Sequence, residues 1–382
     1  MSLIVDGTTG LTLPGSSSGT TVLQAAASAS GTLTLPATTD TLVGKATTDT
    51  LTNKTLTAAA LGSSTATTQT AGDNSTKIAT TAYADAASAA TAPQGRLTLT
   101  SATPVLISTV SAATTIFYAL HTGNKIPIYS GTAWVMTTFT ELSNATAQSS
   151  TGSAGPAAVA NNSNYDLFVW SNSGTLTLTR GPLWTSGTGR GTGAGTTELE
   201  RTLGLWTNKV AITNGPGANL GTYVGTVRSN GSATIDFIFG ASASGGTAGF
   251  FGVFNTYNRV VFSSLTTDTV GTYSYTGGAR AAAGSNGNRC SFIRGLDEDG
   301  VVATSANGQS LSGTGDNIGV GVDSTTSLAS AMSLWGGNTS AGPTAVWAGH
   351  PGLGFHFVQS IDSGAGGRTY YGQWLTAASV MA

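Results

Sequence analysis

Charge is what this sequence has least of. Asp, Glu, Lys and Arg make up 8% of its 382 residues, where an ordinary globular domain carries about 25%. With 15 basic and 17 acidic side chains there is no electrostatic footprint for nucleic acid and no basic face for a membrane, so neither partner is expected. Cys290 is the only cysteine, which excludes an intrachain disulfide and a multi-cysteine metal cage. No stretch approaches the roughly 18 apolar residues of a membrane helix. The opening Met1-Ser2-Leu3-Ile4-Val5-Asp6 lacks the basic segment and apolar core of a signal peptide, which predicts synthesis in the cytoplasm without Sec export.

Low charge does not amount to disorder here. Hydrophobic residues reach 39% at a net charge of −2, whereas disordered chains pair few apolar residues with a high net charge. Glycine, at 53 residues, joins Thr, Ser and Ala in filling the space that charge leaves. A surface this neutral tends to associate, so much of it is expected to lie between copies of the chain.

Aromatics are missing from one end. Between residue 1 and about residue 94, Tyr83 is the only aromatic side chain, and a conventional single-chain core is hard to build there. Gly10-Leu11-Thr12-Leu13-Pro14 and Gly31-Thr32-Leu33-Thr34-Leu35-Pro36 each read as a short half-buried strand closed by proline, at a spacing of about 21 residues. Thr38–Lys45 and Thr47–Lys54 form a second near-repeat, with Asp, Leu and Lys in matching places. Units this small must stack on neighbours or on other copies, which predicts an obligate homo-oligomer. From Ser75 to Ala92 an alanine-rich run with N-cap candidates at Asp73, Asn74 and Ser75 predicts a short helix that Pro93 ends.

From Gly95 onward the chain turns aromatic and reads as β-structure. Ile126–Tyr129 leads through a turn to Trp134–Met136, and Tyr165–Trp170, Asn172-Ser173-Gly174 and Thr175–Thr179 make the clearest hairpin. Glycines from Gly187 to Gly195 suggest a flexible break. Alternation resumes in Thr222–Arg228 and Ala233–Phe239. The fold expected is therefore mainly β. A low-complexity N-terminal shaft or attachment region (1–74) and a helical neck (75–94) precede two sandwich or barrel-like domains (95–190 and 191–382).

Chemistry is sparse. His350 and His356 are six residues apart, which fits no common zinc spacing. Asp297-Glu298-Asp299-Gly300 lacks the remainder of a calcium loop and reads as a solvated turn. The glycine run lacks the Gly-Lys-Ser/Thr ending of a phosphate loop, and no local signature makes Cys290 a nucleophile. No catalytic residue, metal or cofactor is expected, and the chain reads as a non-enzyme.

Gly72-Asp73-Asn74-Ser75-Thr76-Lys77-Ile78-Ala79-Thr80-Thr81-Ala82-Tyr83 resembles a segment that recurs in bacteriophage tail-fibre and related virion proteins. Thr48–Leu56 is similar to another element common in phage structural proteins. The section from Gly95 through Gly181-Pro182-Leu183-Trp184 to Trp206-Thr207-Asn208-Lys209 resembles a domain of phage and prophage tail proteins. The resemblance implies a virion location and a trimer. Residues 1–94 would dock on other tail or baseplate proteins, and the C-terminal region would face a host-surface glycan or protein. It implies receptor contact by the aromatics nearest that end, Trp347, Tyr370, Tyr371 and Trp374. Two alternatives are a head fibre or decoration protein without a receptor, and a tailspike that cleaves polysaccharide.

Overall fold

The computed structural model describes residues 11–14, 18, 20–23, 55, 66–69, 77–81, 92–147, 155–275, 277–310, 316–334, 344–364 and 368–382. The chain divides into two compact units, Met1–Ser64 and Thr65–Ala382. In the first, Leu11–Pro14 pairs antiparallel with Thr20–Leu23, so the earlier Leu-Thr-Leu-Pro segment does form a strand. The strand expected at Gly31–Pro36 and most of the helical neck lie outside the described residues.

The second unit is mainly β, and none of the elements formed by its described residues is an α-helix. Long β-branched and aromatic runs separated by Gly, Ser and Asn leave it little else to form. One six-stranded sheet has Thr175–Leu183 at its edge, then Asn164–Asn172, Thr222–Arg228, Leu205–Asn208 and Leu199–Thr202, with Val253–Asn255 also paired to Thr222–Arg228. Its first two strands form the expected hairpin. Ser173 and Gly174 occupy the two-residue turn at φ 49° and 91°, the left-handed pair that a twisted hairpin favours.

Two larger sheets follow. The eight-stranded sheet runs through Ser330–Leu334, Asp316–Val322, Gly354–Ser363, Arg289–Arg294, Gly249–Phe251, Ile235–Ile238 and Val110–Ala113, with Arg280–Ala281 added to Gly354–Ser363. A second six-stranded sheet runs Ser242–Ala243, Val261–Asp268, Arg368–Met381, Val301–Ser310 and Thr344–Gly349, with Thr272–Tyr275 added to Arg368–Met381. These two sheets pack on each other: the Ser360 and Thr376 hydroxyls bond at 2.6 Å, and Ile318, Ala345 and Trp374 share one buried cluster. Phe237, Phe251 and Phe262 stack edge to face and tilted near the junction, with ring centres 4.8 to 6.0 Å apart.

The boundary expected between residues 190 and 191 falls inside this unit. Asn164–Asn172 and Thr222–Arg228 are hydrogen-bonded neighbours, and the Leu97 N–H donates to Asn255 Oδ1 at 2.6 Å. Few carboxylates are available, so buried arginines tie the chain together through carbonyls instead. Arg96 reaches the carbonyls of Pro104 at 3.0 Å, Ala382 at 2.9 Å and Asn258. Arg180 reaches those of Ala145 and Ala157 at 2.7 and 3.0 Å. Burial lowers both guanidiniums to about 10, a sign of how little countercharge they meet.

Candidate functional site

Of the four aromatics singled out for receptor contact, the structure describes the side chains of Trp347 and Trp374. Trp374 lies in Arg368–Met381 opposite Asp268 and Asn307, and its side chain has 0% exposure in the cluster with Ile318 and Ala345. This corrects the expectation for Trp374: neighbours on both strands and the facing sheet enclose it, leaving no ring face for a ligand. Trp347 points the same way, partly buried against the core, and its ring occupies the space where a Cβ on Gly349 would sit at 2.6 Å. Tyr370 and Tyr371 pair through their backbones with Tyr273 and Thr272, and their side chains lie outside the described residues.

The acidic turn is engaged internally. Arg259 bridges Glu298 at 2.7 Å and Asp299, Arg201 reaches Glu298 at 3.4 Å, and Arg294 lies 3.5 Å from Asp297. With guanidiniums on each carboxylate the turn is an ion-pair network, and among the described residues no cluster of His, Cys, Asp and Glu could hold a metal. His356 is buried, with Nδ1 2.7 Å from Asp323 Oδ2 and Nε2 3.2 Å from the Leu353 carbonyl. Cys290 faces the core, and burial pushes its thiol up to about 12, far from a nucleophile at neutral pH.

The glycine run from 187 to 195 is pinned rather than loose. Arg190 holds the fully buried Asp166 through two bonds of 2.7 and 3.1 Å, and it lies 4.4 Å from the Trp184 ring and 5.4 Å from that of Tyr223. Trp184 Nε1 and Thr226 Oγ1 also donate to Asp166, at 3.0 and 2.6 Å. Burial opposes the Arg190 charge, but Asp166 outweighs it and raises the guanidinium above its ordinary value. Every oxygen of this carboxylate is committed, so the network fastens a loop and offers nothing to a substrate.

One constellation escaped the sequence. On Gly354–Ser363, Phe355 and Phe357 point to the face turned away from the second large sheet, on which Ser360 and His356 lie inward. The Arg228 guanidinium lies 3.7 Å from the Phe355 ring centre, and that of Arg289 lies 4.8 Å from Phe357. Phe250 closes the row, its ring 6.1 Å from Phe355. All five side chains are partly exposed. Phe355 and Phe357 are two apart on one strand, so their rings share a face about 7 Å apart, and each carries a guanidinium.

Among the described residues neither arginine has a carboxylate partner. Arg228 Nη1 donates to Asn164 Oδ1 at 2.8 Å and Arg289 Nε to the Asn286 carbonyl at 2.8 Å, which leaves most of their N–H groups free. Burial alone moves both, Arg228 down to about 10 and Arg289 downward. Arg228 and Phe355 are too far apart in sequence for any local motif to join them. The only hint was an arginine closing the alternating run Thr222–Arg228.

No family model matches this chain, and no curated protein sequence matches it.

Proposed function

We propose that this chain is a structural fibre protein of a bacteriophage virion. It works as a homotrimer that docks through its N-terminal region and presents its β-rich C-terminal region to the host. The segments at Thr48–Leu56 and Gly72–Tyr83 support the virion reading by resemblance.

The observation that carries the oligomeric part is the outer face of the sheet built on Arg368–Met381. Its outward positions align in rows: Val261 with Met381; Ser263, Ser379, Val302 and Ala348; Leu265, Ala377, Thr304 and Val346; Thr267, Leu375, Ala306 and Thr344. None is charged. Val261, Leu265, Val302 and Val346 are each 47 to 58% exposed.

Four strands about 4.8 Å apart and seven residues long give a face of roughly 400 Å². The face is uncharged, with Val, Leu and Ala interleaved with Ser and Thr hydroxyls, and it would supply about half of the roughly 800 Å² that a standard interface takes from each partner. The occupant that fits is a second copy of this chain. Any partner presenting charges would lose their hydration against this face without compensation, whereas an identical face brings none.

Analytical ultracentrifugation at micromolar concentration is expected to give three times 38 kDa. Labelled antibody on intact particles is expected to mark the tail. A folded, stable monomer of the whole chain would overturn the oligomeric part, and unlabelled particles the virion part.

A further inference from the structure

We infer that Arg228 and Arg289, stacked on Phe355 and Phe357, form a binding site for an anionic saccharide. The inference deepens the fibre reading by naming the class of host ligand, and it rests on that reading only for the ligand's source. The geometry stands by itself.

Elsewhere in the described chain, Arg190, Arg201, Arg259 and Arg280 each meet a carboxylate. Arg228 and Arg289 do not; unlike Arg96 and Arg180, whose donors are taken up by several backbone oxygens, each gives one hydrogen bond within the chain and stacks on a partly exposed ring. Two acids on this sheet are already occupied: Asp323 Oδ1 accepts the Phe357 N–H at 2.9 Å and Oδ2 faces His356, and Asp236 accepts from the Ala112 N–H at 2.7 Å and Asn230 Nδ2 at 2.9 Å. The pair is held open for an acceptor from outside.

Each ring holds its guanidinium within 5 Å of its centre, which presents a planar fork of donors to a carboxylate or sulfate at a reduced further cost in entropy. Two such forks suit acidic groups repeated along an oligosaccharide, and the edges of Phe250, Phe355 and Phe357 give its rings an apolar contact. Nucleic acid is a poorer fit, because it needs an extended basic stripe and the whole chain carries a net charge of −2.

The test is isothermal titration calorimetry of the full-length protein with oligogalacturonate. The comparison ligands are a neutral glucan of equal length, polyglutamate and inorganic phosphate. Oligogalacturonate is expected to bind in preference to all three. Arg228→Gln and Arg289→Gln should each weaken it about tenfold, as loss of one charge-assisted bond does, and the double variant should abolish it. Melting by circular dichroism should stay close to wild type, since both side chains reach solvent.

Absence of binding by the wild-type protein, equal binding of the neutral glucan, polyglutamate or phosphate, or unchanged affinity in folded variants would each overturn the site. Calorimetry is blind to where the protein sits in the particle, so failure here and failure of the virion reading are separate results.

Discussion

At the residue scale, Trp374, Asp166 and Cys290 show how burial decides what a side chain can do. Trp374 reads as a recognition residue from its aromatic surroundings, yet it fills the space between two sheets. Trp374→Ala should cost about 3 to 5 kcal/mol, the usual loss for a large buried aromatic, measured as a shift of the urea midpoint. Asp166→Asn leaves Arg190 charged, buried and without its counterion, and the expected loss is likewise about 3 to 5 kcal/mol by the same measurement. Cys290 gives a pH dependence. A thiol that titrates near 9 when unfolded and about 12 when folded adds stability that is complete below pH 9 and is lost as pH rises toward 12. Wild type should therefore lose about 1.4 kcal/mol more than Cys290→Ala between pH 8 and pH 10 in paired urea titrations.

At the scale of elements, local chemistry was readable and long-range chemistry was not. The hairpin of Asn164–Asn172 with Thr175–Leu183 was visible because Ser173-Gly174 sits between two alternating runs, and Lys125–Tyr129 with Trp134–Thr138 was visible for the same reason. Which face of a strand turns inward was harder to see. In Val301–Ala306 and Thr376–Val380 the residues are Ala, Ser, Thr and Val on both faces, equally at home on either side, so the partner strands decide. That is why the exposure of Trp347 and Trp374 could not be read from their neighbours in sequence. It is also why Arg228, which meets Phe355 only through sheet packing, carried no local signal. Gly225 offers a test of close approach between strands. A Cβ there would lie 2.1 Å from the Phe254 carbonyl oxygen, so Gly225→Ala must push Val253–Asn255 away and should lower the melting temperature sharply, whereas Gly174→Ala, with open space around it, should cost about 1 kcal/mol.

For the molecule as a whole, the uncharged sheet face makes a prediction opposite to that of a core mutation. Leu265→Lys and Val346→Lys place charge at the two ends of one row of that face, so sedimentation should shift toward 38 kDa while circular dichroism still reports folded β-structure. Deleting residues 1–64 removes one compact unit and should leave the other folded, with incorporation into particles lost. Circular dichroism and antibody labelling check the two halves of that statement.

The order of strands in the second six-stranded sheet has a consequence for how the protein is made. Its middle strand, Arg368–Met381, follows both of its long neighbours in the chain. As the ribosome releases Val261–Asp268 and Val301–Ser310, each therefore waits with an open hydrogen-bonding edge for a strand not yet synthesised. During that interval a nascent neighbour on the same message can supply the missing strand as readily as the chain itself. The sheet is thus most exposed to strand exchange, and most dependent on a chaperone, until Arg368–Met381 leaves the ribosome.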